Sequence, residues 1–234
     1  MIWPLPPSCR ITWMPYLRDT VYILRSEPYR EHDAWISMYG REHGKMEAVA
    51  RGVRNWHAKQ HGHLEPLTKA DVMIAVGASI DKLAVAHAVS AQTDLRRNLP
   101  AMAMLGAFAD LLDGLTRPGV SDPELFDLMD ELAHAWRSSQ REPSAERTRL
   151  LYAAASSKLL TSLGYGGEFE TAHLSDEAHK LLSVLPELPL AFALSVTAPG
   201  SVFNEVSSVV EHALDDAPLH DRPHGPNTIA AFLT

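Results

Sequence analysis

The chain has a single cysteine, Cys9, in 234 residues. No intrachain disulfide can form, which agrees with a reducing, cytoplasmic setting. Long apolar runs are missing too, and none approaches the roughly 20 residues that a bilayer-spanning helix needs. The opening Met-Ile-Trp-Pro-Leu-Pro-Pro-Ser lacks both a basic start and a continuous apolar stretch, so it does not read as a signal peptide. Positive charge is scarce: 21 Lys and Arg stand against 29 Asp and Glu, a net charge of -8. A surface coated in cations is excluded, so any nucleic-acid site has to be a patch. Catalytic signatures are absent as well. There is no Gly-x-Ser-x-Gly elbow and no phosphate-cradling Gly-Lys-Ser/Thr loop. Glu31-His32-Asp33 holds triad residue types, but three adjacent side chains diverge along the backbone. The acidic pairs Asp110/Asp113 and Asp215/Asp216 read as solvated faces or helix ends. Neither an enzyme activity nor a cofactor is expected.

What is present is one local reversal of sign. Between Arg41 and Lys59 the cations Arg41, Lys45, Arg51, Arg54 and Lys59 face only Glu42 and Glu47. Trp56 lies in the same stretch, and Gly44, Gly52 and Gly62 punctuate it and its flank. Positive charge with an aromatic on a loop suits a surface that follows a phosphate backbone and stacks a base. Gly52, between Arg51 and Arg54, would let the backbone approach a phosphate. Trp56 is the expected stacking platform, because burial is unnatural in so polar a loop. Trp35 and Tyr39 read more readily as packing. His57, His61 and His63 invite a metal reading. Gly62 breaks any helix that would pair them and no cysteine is near, so no metal is expected. The bland alternative for the whole stretch is a solvated loop with ordinary surface cations.

The charge is also unevenly placed. From Arg18 to Lys82 there are ten Lys/Arg against nine Asp/Glu, and from Leu99 onward eight against nineteen. Two regions with different partners are implied: polyanion for the first, protein for the second.

Alternation predicts strands at Asp19–Ser26, Ala34–Tyr39, Lys45–Arg51, around Asp71–Val76, and within Ile80–Ala91. Ala34, Ile36 and Met38 share one face of the second strand, with Met46, Ala48 and Ala50 on one face of the third. The short turn at 40–44 makes these two a hairpin. Five short strands suit a small closed barrel, either an OB-fold or an SH3-like one. After Thr93 the period becomes helical. Helices are predicted from about Leu99, from Asp122-Pro123-Glu124, from Ser144 to a stop at Gly164, from Ser175 to before Pro186, and over about Val202–Leu214. The fold class is therefore α+β: residues 15–93 a barrel, 94–234 all-helical with a flexible tail from about 216. Residues 1–14 read as an irregular extension, or as a start placed too early ahead of Met14.

Glu31-His32-Asp33, Glu42-His43-Gly44-Lys45, Ala50-Arg51-Gly52-Val53-Arg54 and Gly62-His63-Leu64-Glu65-Pro66, in that order and spacing, resemble the N-terminal signature of RecO, a family of bacterial recombination mediators. The resemblance covers roughly Tyr16 to Ala91 and is looser beyond. It implies an OB-fold that binds single- and double-stranded DNA, strand annealing, recombinase loading without catalysis, and a nucleoid-associated cytoplasmic location. The implied partners are RecR and the C-terminal tail of single-strand-binding protein. A basic pocket for that acidic tail is expected from Arg137, Arg141, Arg147 and Arg149, the main cation cluster of the acidic half. Many RecO proteins carry four zinc-binding cysteines after a Leu-Gly-Tyr like Leu163-Gly164-Tyr165; Gly166 to Glu170 contain none. The competing reading is a protein-interaction module with weak DNA contact. An enzyme built on the histidines stands third.

Overall fold

A computed structural model describes residues 15–55, 57–58, 61–139, 143–166, 171 and 173–218. Five strands come first: β1 (Tyr16–Pro28), β2 (Ala34–Gly40), β3 (Gly44–Ala50), β4 (Lys69–Ala75) and β5 (Lys82–Ser90). They close on themselves in the order β1-β2-β3-β5-β4, with β1 antiparallel to both β2 and β4. The seam is the β3–β5 contact, a parallel pairing at Val49 and Lys82 reinforced by the Val49 N–H donating to the Asp81 carbonyl at 2.9 Å. The predicted alternation holds: Val21, Ile23, Ile36, Met38, Ala48, Ala50, Val72 and Ile74 fill the interior.

Among the described residues six α-helices follow: α1 (Leu99–Leu115), α2 (Pro123–Ser138), α3 (Ala145–Ser162), α4 (Asp176–Val184), α5 (Leu190–Ser195) and α6 (Gly200–Asp216). Their starts follow from local chemistry. Asp122, Ser144 and Ser175 each accept a backbone N–H from the first turn they precede. Asn98 does the same for α1, with Pro100 in its first turn. Gly164, at φ +90°, follows the end of α3. The prolines at 186, 189 and 199 suggest an irregular segment, yet a short helix forms between two of them. Pro189 and Pro199 sit at the N-caps of α5 and α6, where a missing N–H removes no helical bond.

α1 and α2 pack on the outside of the barrel, and the other helices pack on these and on one another. Tyr22, Leu24, Tyr39 and Leu67, all from the barrel half, are buried in the helical core with Phe108, Leu112, Leu125 and Phe126. A bulge in β1 between Ile23 and Arg25 changes the face that Arg25 presents. Arg25 thereby joins Ser37, its register partner on β2, on the helix-facing side, and both reach Asp113 of α1. On α2, Phe126 lies 5.2 Å from the Tyr22 ring, and Asp130 accepts from the Tyr22 hydroxyl and from Lys69 Nζ.

Candidate nucleic-acid interface

The β2–β3 hairpin carries the cationic stretch, and its register separates the charges. Gly40 pairs with Gly44 at one end and Ala34 with Ala50 at the other. The six residue steps between them span roughly 20 Å at the rise of a strand. Arg41 and Lys45 belong to the first end, Arg51 and Arg54 to the second. A single groove lined by all of them is not what the strands build.

The first end is occupied by the protein itself. The Asp19 carboxylate accepts from the Glu42 and His43 N–H groups and fixes the turn. Gly44 has φ +65°, and a Cβ on it would lie 2.0 Å from the Val120 carbonyl oxygen. The glycine admits the α1–α2 connection, which bridges to Gly44 and Lys45 through Pro118. Lys45 is 2% exposed. Its Nζ donates to the Asp113 carbonyl at 2.6 Å and lies 3.1 Å from the Asp113 carboxylate, which Arg25 also meets at 2.7 Å. Lys45 as a DNA contact is thus corrected: its charge is spent in a buried network. Burial, and then the neighbouring Asp113 charge, raise the pKa of Asp110 above the usual carboxylate range, with Arg25 acting against them. Tyr39 is buried too, which pushes its hydroxyl up to about 12; it donates to the Asp122 carbonyl. Arg41 remains half exposed but pairs with Asp127 of α2 at 3.0 Å.

The second end is open. Arg51 and Arg54 are exposed. The turn that carries them is bonded to the β1–β2 loop. The Gly52 N–H donates to Asp33 Oδ1 at 2.8 Å, the Arg54 N–H to the His32 carbonyl at 3.0 Å, and Arg54 Nη1 to the Arg30 carbonyl at 3.3 Å. Gly52 is needed for its φ of +64°, not for a close approach. A Cβ there would meet only Asn55 Nδ2, at an ordinary 3.5 Å, and its N–H already serves Asp33. Tyr29 and Arg30, which carry no signal in the sequence beyond their types, join this rim. Tyr29 lies 5.7 Å from the Trp35 ring, and the Arg30 guanidinium sits 5.2 Å over Tyr29. Trp56 and Lys59 lie outside the described residues.

Three of the four arginines expected to form a basic pocket in the helices have partners within the chain. Arg137, at the end of α2, is held by Asp94 at 2.5 Å and by Gln92, so it ties down the connection between the two halves. Arg147 donates to the Leu194 carbonyl of α5 at 2.7 Å, and Arg149 reaches Asn204 of α6 at 3.4 Å. These three cations are directed at three different elements. Arg141 lies outside the described residues, as do 167–170 and 172 in the segment that replaces the zinc motif. Of the histidines, His63 Nδ1 accepts from the Ala88 N–H at 3.2 Å, beside the His87 ring. Among the described residues no three metal-ligating side chains converge, and no helix is long and apolar enough to cross a membrane.

Residues 14–92, the barrel with its flanks, match the family model described as recombination protein O N terminal. Over these residues the chain is similar to the N-terminal region of RecO proteins. A DNA repair protein RecO from Desulfitobacterium hafniense is 36% identical over 113 residues, which is 45% of this chain and 39% of that protein. The protein of the same name from Pelotomaculum thermopropionicum is 27% identical over 139 residues, covering 59% and 54%. Another from Bifidobacterium longum is 41% identical over 78 residues, 33% of each. The chain therefore spans about a third to a half of these relatives' length. These relatives carry the name of DNA repair proteins.

Proposed function

We propose that the chain is a non-enzymatic recombination mediator whose barrel, an OB-fold spanning 15–93, binds single- and double-stranded DNA. The helical domain over 94–234 would serve protein partners. The observation that carries this reading is the open rim. Arg51 and Arg54 are exposed, and their turn is bonded to a loop that adds Arg30 and an aromatic pair. Annealing needs no catalytic residue. Lowering the repulsion between two phosphate chains and holding bases apart is sufficient. RecR and the acidic tail of single-strand-binding protein remain the proposed partners, with Arg137, Arg141, Arg147 and Arg149 the cations proposed for the tail. A cytoplasmic, nucleoid-associated location goes with this reading.

The test is the salt dependence of single-strand binding. Each phosphate contact contributes about 0.7 to the logarithmic salt slope on a single strand. Arg51→Ala with Arg54→Ala should make the slope shallower by roughly one to one and a half. An unchanged slope rejects the site. A second reading, a protein-interaction module with weak DNA contact, is favoured by one observation: much of the outer β2–β3 face, with Lys45 and Tyr39, is sealed by α1 and the connection after it. In an OB-fold that is the face expected to hold nucleic acid. Negligible DNA binding at low salt with intact partner binding would select this reading.

A further inference from the structure

We infer that Tyr29 and Trp35 form a stacking site for an unpaired base of a single strand, with Arg30 and Arg54 beside it for the adjoining phosphates; this rests on the nucleic-acid reading above. Neither ring belongs to the buried core of the barrel or to that of the helices. Tyr29 is 39% exposed, a high value for so large an apolar surface. Trp35 shares the outward face of β2 with Ser37 and Tyr39. Those two are covered, by Asp113 of α1 and by the approach to α2, whereas Trp35 lies past the end of that cover and is half-buried. The rings are 5.7 Å apart and tilted by 51°, a tilted aromatic contact and not a parallel stack.

The platform is held in place before any ligand arrives. The Tyr29 N–H donates to the Asp33 carbonyl at 3.1 Å, closing the loop, and Asp33 and His32 bind the 52–54 turn. Pre-organised aromatic groups lose little freedom on binding. Charge alone would make a poor site here. Glu27 and Glu31 share the rim with side chains 44% and 89% exposed, so the local surplus of cations is small. Stacking is insensitive to those carboxylates and available to every base. The site would thus prefer unpaired bases over a duplex, whose bases are already stacked.

The experiment uses the full chain and two oligonucleotides of equal length at low salt, one of thymidines and one an abasic sugar-phosphate backbone. Wild-type protein should prefer the thymidine strand by roughly ten-fold. Tyr29→Leu should erase that preference while leaving abasic affinity unchanged, and Tyr29→Trp should keep it. Arg51→Ala with Arg54→Ala should weaken both strands together. Equal wild-type affinity for the two strands, or a preference that survives Tyr29→Leu, overturns the stacking site and leaves the phosphate reading standing. Binding of neither strand sinks both. Should Tyr29→Leu fail to fold, ultraviolet crosslinking of the thymidine strand to wild-type protein decides: attachment at Tyr29 or Trp35 is expected, and attachment confined to other peptides overturns the proposal.

Discussion

Asp113 shows how a single buried carboxylate disposes of cations that look available. Arg25 and Lys45 both converge on it, and Ser37 adds a hydrogen bond. Removing it leaves two cations without their partner, so Asp113→Ala should cost about 3–5 kcal/mol of stability. Lys45→Met leaves the Arg25–Asp113 pair intact and should cost less, about 1–3 kcal/mol. Arg51→Ala, on the open rim, should stay within about 0.5 kcal/mol. Denaturant midpoints rank the three, and an Arg51→Ala cost equal to that of Asp113→Ala would contradict the assignment of their roles. Asp94 gives a pH-dependent counterpart. Its bond to Arg137 holds the carboxyl down at about 2. Because the folded value lies below the ordinary 3.8, this contribution is full above pH 3.8 and is lost as pH falls through about 2. The pair is largely exposed, so the effect is small and weakened by salt. Acid titration of wild type against Asp94→Asn should show a gap that closes over that window, and a gap persisting below pH 2 would contradict it.

At the scale of elements, the β2–β3 hairpin has two ends with different employment. The Gly44 end is clamped beneath the α1–α2 connection. Gly44→Ala combines a left-handed φ, worth about 1–3 kcal/mol by itself, with a Cβ 2.0 Å from the Val120 carbonyl. A loss above about 2 kcal/mol is expected, together with faster amide exchange across 116–122; ordinary exchange there would show that the clamp is not needed. The strands and their inward sets were legible because Ile36, Met38, Ala48 and Ala50 alternate so regularly. The helix starts were legible because Asp122, Ser144 and Ser175 are capping types at the right places. The fate of the charges was not legible. Asp113 and Asp127 meet Lys45 and Arg41 across more than sixty positions of sequence, and neither composition nor spacing reports such a pairing. The role proposed for Tyr29 was hidden for the same reason: the ring beside it is that of Trp35, and the cover that stops short of both belongs to another element.

At the scale of the molecule, the barrel and the helices share one buried surface. Tyr22, Leu24, Tyr39 and Leu67 sit in the helical core, and Lys69 and Tyr22 bind Asp130 of α2. A fragment of residues 15–93 would expose these side chains together with the buried ammonium of Lys45. It should therefore unfold without a sharp transition or associate, as seen by calorimetry and sedimentation; a monomeric fragment with cooperative melting would contradict the shared core. On the proposed reading the same packing decides where DNA would lie, because it closes one end of the hairpin and leaves the other to solvent. Amide exchange of the full chain with and without a thymidine oligonucleotide tests this directly. Protection confined to 29–35 and 51–55, with none at 40–46, is the predicted result. Protection at 40–46, or on the helices alone, would contradict it.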